Sequence, residues 1–277
     1  MIEATAPPAE SQLKAMRRRD SVRQVVIVIC TIAAVVGSFI GSGALGGTPI
    51  AEAAGGALSA DATPIAPAVP AFSIWSAIYL GLAAYTVWQL MPTHKADPRQ
   101  RSLGYPIAAS LLLNAAWILS VQAGLLVVSA IVIVLLLAVL AYTFRICILI
   151  HPANWVEAVV VDGVVGLYLG WVCVATAANI TSVLTALGFS GWGISRDVWA
   201  VAIIAVAGLI GVGLAIRGGG RLTPTASLCW GLAWVAVARL TGDLRSTPTA
   251  IAAIVAIVVV LLATIMWRVR PDGRVSA

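Results

Sequence analysis

Tyr168, Trp171, Ala175 and Asn179 follow one another at intervals of three, four and four residues. At 3.6 residues per turn, this spacing puts all four on one side of an α-helix. The face combines two large rings that can hydrogen-bond, one small residue and one amide. It lies within a stretch, 162–183, that is otherwise apolar enough to cross a bilayer. An unpaired amide in hydrocarbon is costly, so such a face must look at other helices or at a ligand.

Two earlier stretches carry similar faces. Phe72, Trp75, Tyr79 and Leu82 share one side of a helix, and Ser110, Asn114, Trp117 and Val121 share another. If the three helices bundle, these faces line a cavity walled by Trp and Tyr, with Asn114 and Asn179 as polar handles. A flat, mostly apolar ligand with few polar groups suits such a cavity. The same residues could equally fill a helix–helix core in which the two amides bond each other.

Charge inside the apolar stretches is the second chemical signal. Asp162 lies about two turns into its helix and away from the Tyr168–Trp171 face, and Arg145 has a comparable depth on the preceding one. A carboxylate in a membrane is a functional candidate by default. Arg145 and Asp162 are expected to form an intramembrane ion pair, either structural or part of a proton relay. Arg239 and Asp243 are spaced for an i,i+4 pair, near Arg245. Trp230 and Trp234 stand one turn apart on the same stretch.

Other chemistries find no footing. His94 and His151 are lone loop histidines, so no metal site is expected. Cys30, Cys147, Cys173 and Cys229 form no CxxC pair and read as small apolar packing residues. Gly218–Gly220 lacks the spacing and the Lys-Ser/Thr of a phosphate loop. No paired carboxylates and no nucleophile–base pair point to an enzyme. No cofactor is required.

The elements that must hold these residues are set by hydropathy. The chain of 277 residues is 61% hydrophobic and 10% charged, with a mean hydropathy of +1.01. A soluble domain could not hide that much apolar surface, so the fold class is an all-α integral membrane protein. Eight spans are expected, at about 24–44, 71–90, 103–122, 125–148, 155–184, 198–216, 222–241 and 248–267. Residues 1–23 read as a disordered basic tail, 46–70 as an external loop and 269–277 as a second tail. The net charge of +6 comes from basic residues at span ends, which argues for topology rather than nucleic acid. With both termini cytoplasmic, fourteen Lys and Arg fall inside, and only Arg196, Arg239 and Arg245 fall outside.

Three segments carry a family resemblance: Phe72-Ser-Ile-Trp75-Ser-Ala-Ile-Tyr79, then Leu113-Asn114-Ala-Ala-Trp117, then Tyr168-Leu-Gly-Trp171 with Asn179 eight residues later. Their order and spacing resemble the TspO/MBR family of tryptophan-rich sensory or translocator proteins, over roughly residues 25–185. The resemblance implies a TspO-like five-helix bundle over 24–185; the hydropathy pattern adds three transmembrane helices over 186–268, which carry no motif of the family. The resemblance also implies a pocket at Phe72, Trp75, Tyr79, Asn114, Trp117, Tyr168, Trp171, Ala175 and Asn179. The ligand it implies is a tetrapyrrole, such as a porphyrin or haem-type molecule, or a sterol-like molecule. The family's usual Pro before the fifth-helix Tyr is Leu167 here, and the 46–70 loop lacks the family's additional Trp.

The reading that follows is a multi-pass protein of a bacterial plasma membrane. It would act as a receptor, sensor or translocator with a hydrophobic small molecule as ligand; porphyrin breakdown has been proposed for the family, but no residue demands it. Two alternatives stand beside it: a proton-coupled secondary transporter, and a structural subunit that meets a membrane partner or a second copy of itself.

Overall fold

The computed structural model describes residues 9–43 and 46–270. Among them are eight long helices: α1 (Ala9–Gly41), α2 (Ile74–Gln89), α3 (Pro98–Gln122), α4 (Leu126–Leu149), α5 (Trp155–Ala186), α6 (Arg196–Arg217), α7 (Leu222–Thr241) and α8 (Thr247–Val269). Helices are what the composition demands, because in lipid every backbone N–H and C=O must be satisfied within the segment. Local signals start several of them. Asp97, Asn154, Ser195 and Ser246 each accept a backbone N–H as N-cap, and Pro98 and Pro248 occupy the first turns of α3 and α8. Gly124, at φ +71°, turns the chain tightly from α3 into α4.

The first five helices close a ring. α1 packs on α3, α3 on α4, α4 on α5, α5 on α2, and α2 back on α1. The other three form a layer outside it: α7 packs on α5, α8 on α7, and α6 on α8. The chain is therefore a five-helix bundle with three further helices.

Seven of the eight helices are long and apolar enough to cross a membrane; α7 is not among them. Thr223, Pro224, Thr225 and Ser227 dilute its hydropathy, and it packs between α5 and α8, leaving one exposed stripe through Leu222, Ala226, Trp230, Val237 and Leu240. It nevertheless runs parallel to α5 at the same depth. Gly166 abuts Thr223, Gly170 abuts Pro224 and Ser227, and Val174 abuts Gly231. Small residues let the two backbones approach closely. Of the eight spans expected, seven have the length and apolarity to cross a membrane; α7, expected as the span at 222–241, falls short in apolarity although it is a helix packed alongside them.

Two boundaries differ from expectation. The segment expected to be a disordered tail is helical from Ala9, so α1 has 33 residues. At 1.5 Å per residue it is about 50 Å long, well beyond a hydrocarbon core of about 30 Å. Residues 9–23 contain no Gly or Pro, and a Glu10–Lys14 pair at 3.0 Å spans one turn. Residues 1–8 and most of the expected C-terminal tail lie outside the described residues. The 46–70 segment is also more ordered than a plain loop, with a tight turn at Ala53–Gly56, where Ala54, Gly55 and Gly56 have positive φ, and a 3-10 turn at Val69–Ser73 leading into α2.

Candidate functional site

Trp75 is the centre of the aromatic cluster inside the ring. Its indole stacks on Tyr79 one turn later, with centroids 5.5 Å apart, and on Trp117 of α3 at 6.3 Å. It meets Tyr168 and Trp171 of α5 edge-on, at 5.8 and 6.2 Å. Phe72 adds an edge-on contact to Trp171 at 5.9 Å. Offset and edge-to-face pairs are the favourable geometries for such rings. The three helix faces expected to converge therefore do so.

Asn114 and Asn179 do not bond each other. Asn114 Nδ2 donates to the Tyr79 hydroxyl, and Asn179 Nδ2 donates to Ser129 Oγ on α4 at 3.2 Å. The Tyr168 hydroxyl donates to the Ser110 carbonyl at 3.4 Å. Three buried polar atoms in this cluster have no hydrogen-bond partner: Asn114 Oδ1, Trp117 Nε1 and Trp171 Nε1. Leaving such an atom unmet costs about 1–3 kcal/mol. Three together in one aromatic cluster depart from ordinary core packing.

The free space divides on either side of Trp75. Inside the ring is a chamber of about 30 Å³, walled by Phe72, Trp75, Trp117, Trp171, Ala175 and Asn179. Leu58, Ala66 and Pro67 of the 46–70 segment close it, so that segment is a lid. The rings have largely filled the cavity expected between the second, third and fifth helices, which leaves room for little more than one water molecule. On the other side is an open groove of about 430 Å³, lined by Ser38 and Phe39 of α1, by Phe72, Trp75 and Tyr79, and by Trp117. That volume is in the range of small-molecule sites. Phe72, Trp75 and Trp117 border both spaces. The groove opens where the ties between α1 and α2 stop: Gln24 bonds Gln89 and Thr31 bonds Thr86 (2.8 Å) nearer the other end.

α7 holds the lid. Trp230 Nε1 donates to the Ala71 carbonyl at 2.9 Å, and the Ala68 N–H donates to the Trp234 carbonyl at 3.1 Å. Arg239, whose side chain is 0% exposed, donates to the Ala60 carbonyl and sits 3.9 Å from Asp61. The expected Arg239–Asp243 pair does not form. α7 ends at Thr241 and Gly242 is extended, so Asp243 is no longer one helical turn from Arg239.

A second polar cluster lies at the opposite end of the bundle, and it corrects the expected Arg145–Asp162 pair. Arg145 faces outward on α4 and takes no part. Asp162 binds Arg99 of α3 and lies 3.3 Å from Arg221 at the start of α7. Glu157 binds Arg99 at 2.8 Å and accepts from Gln100 at 3.0 Å and from the Ala153 N–H at 2.8 Å. Arg99 and Arg221 also donate to the Ile150 and Cys147 carbonyls. Asp162 sits on a π-helical segment, Ala158–Gly163, whose wider turn displaces it from the register of a regular helix. The two cations and two anions make a closed, neutral network, the form in which buried charges are tolerated. Arg99, Gln100, Glu157 and Arg221 escaped the sequence reading because they sit at helix starts, where charges usually face water.

Among the described residues, no group of three His, Cys, Asp or Glu could hold a metal ion, and the four cysteines are free and buried.

A helical bundle with a membrane-crossing core and a lidded aromatic chamber defines a class of polytopic membrane protein. A model of the family described as TSPO-like protein matches residues 24–267, and the chain belongs to that family. The match continues through α6, α7 and α8 rather than ending near residue 185, where the recognisable motifs stop. No curated protein and no solved structure matches the chain.

Proposed function

We propose that the protein is a membrane receptor, sensor or translocator that binds a hydrophobic, planar small molecule of the tetrapyrrole or sterol-like class beside Trp75. The observation that carries this reading is the set of unmet polar atoms, Asn114 Oδ1, Trp117 Nε1 and Trp171 Nε1, in one aromatic cluster next to a groove of ligand size. A ligand carbonyl or carboxylate would accept from the indole N–H groups, and a ligand N–H or O–H would donate to Asn114. Ring faces would supply stacking.

The route follows from the partition. A ligand reaches the groove from the lipid, between α1 and α2. Rotation of the Trp75 indole then joins groove and chamber, and brings the ligand to Trp171, Ala175 and Asn179. That rearrangement of α2 against α5 is what a sensor would report or a translocator would use. The family membership and the fold support this reading. A proton-coupled transporter has less support, because Asp162 is closed into a neutral network with Arg99 and Arg221. The setting proposed is a bacterial plasma membrane.

The test is a protoporphyrin IX titration of the purified protein, followed by tryptophan fluorescence. Saturable quenching at micromolar concentration or below is expected. Trp171→Leu and Asn114→Ala should each weaken it by roughly fivefold or more, at about 1–3 kcal/mol per lost polar or stacking contact. No saturable quenching in the folded wild type would remove tetrapyrroles from the proposal.

A further inference from the structure

The groove and chamber account for the aromatic cluster but leave the long basic end of α1 without a role. Met16, Arg19, Asp20 and Arg23 lie on one face of α1, at intervals of three, one and three residues. Arg101 and Tyr105 lie one turn apart on α3, which packs against that face. Together these six residues line an open cleft of about 450 Å³.

Its charges are arranged, not scattered. Arg101 grips Asp20 with two parallel hydrogen bonds, Nε to Oδ1 at 2.8 Å and Nη2 to Oδ2 at 2.6 Å. Arg23 is 2% exposed in its side chain. Its Nη1 lies 3.5 Å from Asp20, Nη2 donates to the Lys95 carbonyl at 2.9 Å, and Nε has no partner. Asp20 thus orients two guanidinium groups but neutralises only one charge. Arg19 is exposed beside them. The cleft keeps a surplus of positive charge and an unmet, buried N–H.

We propose that this cleft binds the phosphate of an anionic phospholipid from the leaflet at the basic end of the bundle, the cytoplasmic leaflet by the positive-inside rule. Basic pockets between transmembrane helices are suited to such head groups. The surroundings favour a lipid over a soluble phosphate. Met16 and Tyr105 are about half exposed at the cleft, and Leu112, two turns beyond Tyr105, continues that exposed apolar face along α3. A phosphate ion has no use for that surface, whereas acyl chains do. Tyr105 is also at the level where an amphipathic ring anchors to an interface. The long α1 then serves as one wall of a lipid site.

The experiment uses the full chain in nanodiscs made of equal parts phosphatidylcholine and phosphatidylglycerol. After re-extraction in mild detergent, the lipid retained per protein is measured. Phosphatidylglycerol should be enriched over phosphatidylcholine. Arg19→Gln, which leaves the Asp20–Arg101–Arg23 arrangement intact, should reduce that enrichment about fivefold. Arg145→Gln, an exposed arginine on α4 that does not line the cleft, should not change it. Arg101→Gln should abolish it, and its melting temperature shows whether the variant still folds. Equal retention of the two lipids would overturn the proposal. So would a loss of enrichment in Arg145→Gln equal to that in Arg19→Gln, which would mean that the basic end attracts anions without a defined site. If millimolar inorganic phosphate displaces the lipid, the cleft is a soluble-anion site and the lipid assignment falls.

Discussion

Asp162 is held by Arg99 from one helix and Arg221 from another, and both arginines depend on it for charge balance. Removing one partner of a buried ionic network strands the others, which typically costs about 3–5 kcal/mol. Asp162→Asn is therefore expected to lower unfolding stability in detergent by about that much. Arg145→Gln should stay within about 0.5 kcal/mol of wild type, as an exposed position with no partner in the network. Equal effects of the two substitutions in denaturant titrations would restore the ion pair expected from sequence. The depth of Asp162 in its helix was legible, but the identity of its partner was not. Depth along a helix can be counted from residue numbers, whereas the direction of a side chain also depends on the π-helical segment that carries Asp162. The aromatic row was easier to read because regular spacing of Tyr168, Trp171, Ala175 and Asn179 on an ordinary helix fixes their common face.

At the scale of elements, the contact between α5 and α7 depends on missing side chains. A methyl group on Gly170 would stand 2.1 Å from the Pro224 carbonyl oxygen and 2.2 Å from Ser227 Oγ. A methyl on Gly213 of α6 would meet nothing within 4 Å. The same chemical change should therefore have opposite consequences. Gly170→Ala is expected to destabilise by about 1–3 kcal/mol through overpacking. Gly213→Ala should be neutral or stabilising by up to about 1 kcal/mol, as Ala replaces Gly within a helix. Unfolding curves for the pair decide it, and similar losses at both sites would mean that helix distortion, not the α5–α7 contact, controls stability. Seven of the long helices pass as spans on apolarity alone; α7 also reads as one from the sequence, at 222–241, although it carries Thr, Ser and Pro where it meets other helices. The start of α1 was illegible. A basic, soluble-looking run has no hydropathy signal, yet nothing in residues 9–23 stops a helix once Gln24 onward has nucleated it.

Across the whole molecule, the three outer helices bear on the aromatic site without lining it. α7 is anchored at one end through Arg221 to Asp162 and at the other through Trp230, Trp234 and Arg239 to the segment that covers the chamber. The expected five-helix unit and its three additional helices are thus mechanically one object, in keeping with a family match that runs through both. If the lid gates a second way out of the chamber, besides the groove by which a ligand enters, loosening it from α7 should change how fast a ligand leaves more than how stable the fold is. Trp230→Phe removes one donor, the indole N–H to the Ala71 carbonyl, while keeping an aromatic ring against Trp234. One hydrogen bond of about 1 kcal/mol corresponds to roughly fivefold in a rate. Stopped-flow displacement of protoporphyrin IX should show dissociation about fivefold faster in this variant, with the melting temperature little changed. Faster dissociation accompanied by an equal loss of stability would reduce α7 to a general support. An unchanged rate would mean that ligand leaves through the groove between α1 and α2, past Trp75, and that the lid never opens.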